Sequence, residues 1–293
     1  MADQTNITDQ ELKEAFKKDG YVVVRNIIED HDLEPIREHI KTKVDQYACE
    51  QYAEGHISSL YETDSFVRRY AAICEELSTS PRSWIGNTYG REFYNLYNQP
   101  GILHVLSVIH GPEISNIGSP ALRTKLPGSV ITSFPWHQDS IYYNGNADPN
   151  QQVTLSEQSQ ILTIWIPMVD VDEQNGCLQV IPGSHKQGLR PSHHDENGRM
   201  VPVEDVESWG KVKNVSMSVG DIFVFGNLTF HRSLENNSED IRWSIDLRYS
   251  PTDSPLEWFH EKWPGFIARS QRRPETIESW EVWRKKRTLS NLA

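Results

Sequence analysis

Apolar residues in the first third of the chain recur every three or four positions, which is the spacing of amphipathic helices. Thr8 and Glu11 form a capping box at the start of one such segment, and Gly20 is placed to end it. The pattern predicts helices over about residues 8–20, 33–50, 65–77 and 100–111. We expect these helices to pack on one face of a sheet that includes the β-branched run Tyr21–Val24.

From about residue 121 the pattern changes to short runs that either alternate or are continuously apolar, as strands do. Asn175-Gly176 is a hairpin-turn signal between two of these runs. The predicted strands are Leu122–Leu126, Thr132–Asp139, Ile161–Met168, Cys177–Ile181, Val212–Val219, Ile222–Phe225 and Ile241–Tyr249. Eight or so short strands with turns between them are typical of two facing sheets. We therefore predict a mainly β fold with flanking helices, built around a double-stranded β-helix, the jelly roll of cupin-like proteins.

The 293 residues are predicted to form a single domain, since barrels of this kind often exceed 200 residues. Its parts would be a helical segment over 8–111, a jelly-roll core over about 114–250 and a tail over 251–293. A helix from about residue 275 is predicted to end in the basic run Trp283–Arg287 and to pack over the barrel. The tail holds four tryptophans, Trp258, Trp263, Trp280 and Trp283.

Two polar insertions interrupt the predicted barrel, Tyr142–Ser159 and Gln187–Glu207. Long loops in compact domains are often functional, so both are candidate lids, although ordinary surface loops have the same composition. We favour the lid for the first insertion, because it begins close to the candidate site described below. The second contains a cluster of metal-ligating residue types that lacks strand periodicity and is interpreted as solvated surface: His193, His194, Asp195 and Glu196.

Composition narrows the classes of partner. A net charge of −12 argues against nucleic acid and anionic membrane surfaces, and an acyl-CoA would need a local basic patch. Three cysteines without a C-x-x-C motif, and a polar N-terminus, predict a reduced cytoplasmic protein without a membrane span. We expect a small-molecule substrate and a monomer or homodimer.

The candidate chemistry lies in His137-Gln138-Asp139 and in His231 far downstream. In a strand, residues two apart share a face, so His137 and Asp139 could both reach one ion. Two histidines and one carboxylate are the ligand set of non-haem Fe(II) oxygenases. These three ligands cover one face of the metal and leave positions open for a co-substrate and oxygen. Alone, however, an H-x-D motif is a weak signal.

Ser233 and Arg242 strengthen this interpretation. Arg242 lies in Ile241–Tyr249, where apolar and polar residues alternate strictly, so it reads as a strand with one packed and one polar face. An arginine that points into a protein interior needs an anion. A dicarboxylate bound beside the metal would supply one.

These residues, in this order and spacing, resemble the phytanoyl-CoA dioxygenase family of Fe(II)- and 2-oxoglutarate-dependent oxygenases over about residues 9–250. The resemblance implies that His137, Asp139 and His231 ligate Fe(II). The further matching segments are Phe16–Val24, Asn175-Gly176-Cys177-Leu178, Pro182-Gly183-Ser184-His185-Lys186, Gly220-Asp221, His231-Arg232-Ser233 and Arg242. His185, in the turn of the second segment, is interpreted as structural.

The resemblance also implies the co-substrates, 2-oxoglutarate and O2. Ser233 and Arg242 would bind the distal carboxylate of 2-oxoglutarate, while Thr124 and Trp165 sit where the family places further pocket residues. The reaction would convert 2-oxoglutarate to succinate and CO2 and hydroxylate a substrate. Related halogenases lack the carboxylate at the position of Asp139, so its presence favours hydroxylation or another oxidation.

The substrate is left open by the sequence. Tyr143, four residues after Asp139, is a candidate substrate contact. Candidate substrates are a natural-product intermediate, an amino-acid derivative, a phosphonate or an acyl-CoA. Alternatives to the oxygenase are a non-redox metal-binding cupin-like protein, which would not need Ser233 and Arg242, and a scaffold without turnover.

Overall fold

The predicted N-terminal helices are present in the computed structural model, which describes residues 7–81, 88–118, 120–143, 160–254 and 264–290. The first helix begins at the Thr8 capping box and ends at Gly20, which has the left-handed φ of +80° that such a helix end favours. A short helix at residues 91–97 was not predicted. The helices are α1 (Asp9–Asp19), α2 (Asp30–Ala53), α3 (Arg69–Glu76), α4 (Arg91–Tyr97), α5 (Pro100–His110), α6 (Ser140–Tyr143) and α7 (Trp280–Ser290).

Antiparallel strands form two facing sheets. The larger has the order β1-β9-β4-β11-β2-β12, with β3 beside β11, and the smaller has the order β10-β5-β8. The strands are β1 (Tyr21–Val24), β2 (Ile114–Asn116), β3 (Ala121–Lys125), β4 (Leu162–Pro167), β5 (Leu178–Val180), β6 (Ser192–His194), β7 (Met200–Pro202), β8 (Lys213–Val215), β9 (Ile222–Gly226), β10 (His231–Ser233), β11 (Arg242–Pro251) and β12 (Phe266–Arg269).

The outer face of the large sheet packs against the helices. On β11 this face is formed by Trp243, Ile245, Leu247 and Tyr249, which join one core cluster with residues of α2, such as Ile36 and Ile40. Burial of these side chains is the main contribution that holds the helical layer on the sheet.

The inner face of the large sheet looks toward the small sheet. Trp165, Phe223 and Phe225 of the large sheet pack there with Leu178 and Val180 of the small sheet. Because alternate residues of a strand point to opposite faces, the polar residues of β11 also lie inside, and both faces of this strand are buried. The prediction of a jelly roll with flanking helices is confirmed.

The prediction of a strand over Thr132–Asp139 is wrong. Val130–Thr132 is a 3-10 turn, and Asp139 directly precedes α6. Only His137 pairs as in a sheet, through an isolated antiparallel bridge to His231. Pro135 lies in the middle of the segment and has no N–H to donate to a ladder, so a continuous strand is disfavoured there.

Two turn assignments also need correction. Asn175-Gly176 does form a turn, with Gly176 at φ +84°, but it connects strands of different sheets rather than a hairpin. The second insertion is not a plain loop, because β6 pairs with β7 in a two-stranded hairpin. His193 and His194 are exposed on it, as predicted. Of the first insertion, residues 144–159 lie outside the described part, and the lid prediction stays a prediction.

The C-terminal tail packs over the outer surface. Trp283 of α7 is fully buried, contacts Phe266 and Tyr97, and donates a hydrogen bond to the Pro264 carbonyl at 2.8 Å. The helix begins at Trp280, later than predicted, and follows a 3-10 turn over Pro274–Thr276. Trp258 and Trp263 fall outside the described residues. That the whole chain forms one domain stays a prediction.

Within the described ranges, no helix has both the length and the apolar character that a bilayer crossing requires.

Replacing Ile36 by Ala should lower the free energy of unfolding by about 2–5 kcal/mol, because Ile36 is 0% exposed between α2 and the sheet and its loss leaves a cavity. Urea denaturation followed by circular dichroism measures the change. The matched control is Ile277→Ala, since Ile277 is 43% exposed and should change stability by no more than about 0.5 kcal/mol. Equal losses in the two variants would contradict the assigned core.

Candidate active site

His137, Asp139 and His231 meet on the inner wall of the jelly roll. The backbones of His137 and His231 exchange two hydrogen bonds, at 3.0 and 3.1 Å, which brings their ring centres to 4.2 Å. The ligand atoms of the three side chains lie within 4.8 Å of one another, and all three are buried. In the part of the chain that the structure describes, this is the one group of three such side chains that could hold a metal ion.

Backbone carbonyls orient both imidazoles. The Nδ1 atom of His137 lies 2.8 Å from the carbonyl oxygen of Pro135, and that of His231 lies 3.0 Å from the carbonyl oxygen of Thr229. Because a carbonyl can only accept, each Nδ1 carries the hydrogen and each Nε2 keeps its lone pair. Both Nε2 atoms lie 3.6 Å from Asp139 Oδ1, so three lone-pair donors converge on one point.

The charges of these groups match a divalent metal. Burial would raise the pKa of the Asp139 carboxyl, but the contacts with His137, His231 and Arg248 outweigh it and hold this pKa well below its usual range. Burial, assisted by His137, lowers the pKa of His231 to about 4. One anionic carboxylate and neutral imidazole nitrogens form the donor set that divalent iron accepts, so the residues present fit such an ion.

Asp139 has a second support on its other oxygen. The Thr163 hydroxyl donates to Asp139 Oδ2 at 2.8 Å, and Arg248 Nε lies 3.8 Å from the same oxygen. Groups that hold a ligating carboxylate in this way set its orientation. Neither Thr163 nor Arg248 was predicted as a positioning residue, and only the strand pairing reveals that they face the site.

The residue between the two neighbouring ligands points elsewhere. Gln138 donates to the carbonyl oxygens of Gly188 and Leu228 and accepts from the backbone N–H of Arg190. It therefore ties the segment that leads into the β6–β7 hairpin directly to the site. This contact supports the prediction that the hairpin is a lid, which stays a prediction.

The three candidate ligands line a cavity of about 590 Å³, its open mouth included, which is the usual size of a small-molecule pocket. The predicted co-substrate residues line the same cavity: Thr124, Trp165, Ser233 and Arg242. The structure thus brings together side chains from four separate strands, as the predicted site requires.

Arg242 is the principal cation of this cavity. It is 3% exposed, donates to Ser244 Oγ at 2.6 Å, and has its guanidinium carbon 5.2 Å from the centre of the Trp165 ring. Its Nε has no hydrogen-bond partner among the described residues. Ser233 Oγ accepts from the Phe134 N–H at 2.9 Å, so its own hydrogen is left to donate. Both groups are available to an anion in the cavity.

The register of β3 changes the interpretation of Thr124. Thr124 is paired with Trp243, whose side chain packs on the helix side of the sheet. Residues directly opposite share a face, so Arg123 and Lys125 are the residues of this strand that look inward. Thr124 lines the cavity, and its role stays a prediction, but Lys125 and Arg123 were missed because no sequence signal sets this register.

The predicted substrate contact, Tyr143, ends α6, and its side chain lies outside the described part of the chain. The structure instead brings Tyr142 to the site, with its ring centre 5.8 Å from that of His137. Burial and the charge of Asp139 raise the pKa of Tyr142 to about 12, so its hydroxyl stays protonated at neutral pH. The expectation of a strand before Asp139 favoured the wrong tyrosine, because a helix begins there.

Fold and site together define a jelly-roll protein with a two-histidine, one-carboxylate metal site, the class that contains the non-haem iron oxygenases. The sequence profile of the phytanoyl-CoA dioxygenase family matches residues 16–244. The chain belongs to this family.

Individual relatives are distant. The chain is 22% identical to the peroxisomal phytanoyl-CoA dioxygenase of Rattus norvegicus, over 85% of this chain and 70% of the rat protein. It is 26% identical to the 1-deoxypentalenic acid 11-beta-hydroxylase of Streptomyces arenae, over 86% of each protein. Among solved structures, the non-heme monooxygenase ThoJ superposes with a TM-score of 0.55 at 19% identity, over 96% of this chain and 98% of ThoJ. At that identity the likeness shows a shared fold.

Family membership makes the protein an Fe(II)- and 2-oxoglutarate-dependent oxygenase. The predictions of an oxidoreductase and of its cofactors, Fe(II), 2-oxoglutarate and O2, are confirmed at the level of this class. The non-redox metal-binding barrel is correspondingly disfavoured.

His231→Ala should weaken binding of Mn(II), a redox-silent stand-in for Fe(II), by more than about 100-fold, since even the loss of a partner behind a ligand costs about 10- to 100-fold. Electron paramagnetic resonance of free Mn(II) measures the affinity. The matched control is His193→Ala, which removes an exposed histidine of the β6–β7 hairpin and should leave binding unchanged. Wild-type affinity in the His231 variant would show that the metal binds elsewhere.

Proposed function

We propose that this protein hydroxylates, or otherwise oxidises, a small-molecule substrate such as a natural-product intermediate. In this proposal His137, Asp139 and His231 hold Fe(II). Arg242 and Ser233 bind the distal carboxylate of 2-oxoglutarate, and Trp165 forms the wall beside it. The observation that carries the proposal is a buried arginine without a carboxylate partner in the same cavity as three convergent metal donors.

The protein's own groups have defined tasks in this reaction. When bound, iron with 2-oxoglutarate supplies the oxidation of the substrate by O2, with release of succinate and CO2. The carbonyl oxygens of Pro135 and Thr229 keep both imidazoles in the tautomer that ligates, and Thr163 keeps the carboxylate of Asp139 in place. Arg242 orients the co-substrate through a charge-assisted hydrogen bond in a site from which water is largely excluded.

The charges around the cavity favour a small substrate over an acyl-CoA. Arg123 and Arg232, the partly exposed arginines of the cavity wall, are paired with Asp246 at 2.8 Å and with Glu207 at 2.9 Å. Arginines already neutralised in this way leave little free positive charge for the phosphates of a coenzyme A. The Streptomyces relative is named for a small organic acid, and it matches a larger share of its own length than the rat enzyme does.

The ligand set also favours one outcome of the reaction. Asp139 occupies the position that a halide would need, and its carboxylate is held by Thr163. We therefore expect oxygen rather than a halogen to be transferred. Tyr142 and Tyr143, in the helix that follows Asp139, are the proposed substrate contacts, and for Tyr143 this is an expectation from sequence alone.

Arg242→Ala should raise the KM for 2-oxoglutarate by about 10- to 150-fold, the equivalent of losing a hydrogen bond between charged groups worth about 1.5–3 kcal/mol. Mn(II) affinity should be unchanged, because Arg242 does not contact the three candidate ligands. Steady-state succinate formation gives the KM, and Arg272→Ala, at an exposed surface arginine, is the control. An unchanged KM would show that another cation binds the distal carboxylate.

Mass spectrometry of a substrate library tests the reaction itself. Wild-type enzyme with Fe(II), 2-oxoglutarate and O2 should add one oxygen atom to a small organic acid or terpenoid and release an equal amount of succinate. Fatty acyl-CoA thioesters should be left unchanged, and added chloride or bromide should give no halogenated product. Turnover confined to the acyl-CoA thioesters would contradict the proposed substrate class and leave the reaction class intact.

A further inference from the structure

Two buried cations lie side by side in the cavity. Lys125, the last residue of β3, is the register partner of Arg242 on β11, so both side chains lie on the inner face of the sheet. Lys125 is 1% exposed and Arg242 is 3% exposed. Like charges directly opposite one another destabilise a strand pair. The free protein therefore carries an electrostatic cost at this point.

No carboxylate of the described chain compensates for this charge. Lys125 Nζ donates to Ser133 Oγ at 2.9 Å and to the Thr132 carbonyl oxygen at 3.3 Å, and both acceptors are neutral. Among the described residues, neither Lys125 nor Arg242 has a carboxylate oxygen within 4.0 Å. Burying a cation without an anion is unfavourable, so this pair calls for an anionic ligand.

The environment of Lys125 supports the same reading. Burial and the neighbouring guanidinium of Arg242 lower the pKa of the Lys125 ammonium to about 6, and the more distant Glu235 and Cys177 oppose this only in part. An anion placed between the two cations would reverse the effect, since opposite charges favour the charged form.

We infer that Lys125 is a second cationic ligand of the distal carboxylate of 2-oxoglutarate, together with Arg242. This inference rests on the proposed function, in which that carboxylate binds beside Arg242. A carboxylate has two oxygens and several lone pairs, so it can accept from a guanidinium, an ammonium and the Ser233 hydroxyl at once. Lys125 would thus contribute to the selection of a keto acid that carries a second acidic group.

The chain holds Lys125 rigidly for this task. A Cβ on Gly176 would lie 2.6 Å from Lys125 Cδ and 2.7 Å from the Leu234 carbonyl oxygen, so only glycine lets the 172–177 turn lie against the lysine stem. The Asn236 side chain also donates to the Lys125 carbonyl oxygen at 2.9 Å. A side chain already held in place loses less entropy when it binds, which favours affinity.

A purely structural role for Lys125 is the competing explanation, because its ammonium also joins β3 to Ser133. The two roles differ in their dependence on the ligand. We compare Lys125→Met, which keeps the apolar stem, with Lys125→Arg, which keeps the charge. The ligands are 2-oxoglutarate and 2-oxobutyrate, which has the same chelating end and lacks the distal carboxylate. Isothermal titration of Mn(II)-loaded protein measures both affinities, and circular dichroism with a melting curve checks folding.

Lys125→Met should weaken 2-oxoglutarate binding by about 10- to 100-fold, as expected for a charged hydrogen bond, and should leave 2-oxobutyrate binding unchanged. Lys125→Arg should recover part of the loss. Lys211→Met, at an exposed lysine, is the control for the change in net charge. An equal loss for both ligands, or no loss for either, would overturn the inference.

Failure of the proposed function would be recognised separately. If wild-type protein bound 2-oxobutyrate as tightly as 2-oxoglutarate, the distal carboxylate would have no cationic partner at all, and the assignment of Arg242 would be wrong too. If only the Arg242 variant distinguished the two ligands, the proposed function would stand and Lys125 would have a structural role.

Discussion

The backbone bridge between His137 and His231 is the interaction on which the site depends. It joins a loop that follows the first strands of the barrel to β10 of the small sheet, and it sets two imidazoles beside each other. The carbonyl oxygens of Pro135 and Thr229, two residues before each histidine, then set both tautomers in the same way. Metal-binding geometry in this protein is therefore a product of main-chain pairing, with Asp139 added by the turn into α6.

The second constraint is a strand with charge on a buried face. On β11, Arg242, Asp246 and Arg248 alternate with residues of the helix-side core and look into the barrel. Asp246 is shared between Arg123 and Arg248, and Asp139 lies near Arg248, whereas Arg242 has no carboxylate close to it among the described residues. The chain carries a net charge of −12, yet this end of its interior is cationic. A dianionic keto acid would be repelled by the protein as a whole and stabilised only where these two strands meet.

Local patterns predicted the elements well where the signal was a short-range one. The Thr8 capping box, the glycine end of α1 and the strict alternation of β11 are readable because neighbours a few residues apart determine them. The segment Thr132–Asp139 was misread because its apolar residues suggested a strand, while Pro135 and the start of α6 break the ladder. The same error moved the expected substrate contact from Tyr142 to Tyr143, since strand and helix aim consecutive side chains differently.

The sequence by itself determined the chemistry: two histidines, one aspartate and one arginine of the right types and order, on a chain with the alternation of a jelly roll. Only the tertiary structure decided which neighbouring residues join them. Thr163 and Lys125 face the site because β4 and β3 pair with β11 in one register, and a shift by one residue would have turned Thr124 inward instead. That register depends on contacts between residues more than a hundred positions apart, to which no local pattern along the chain responds.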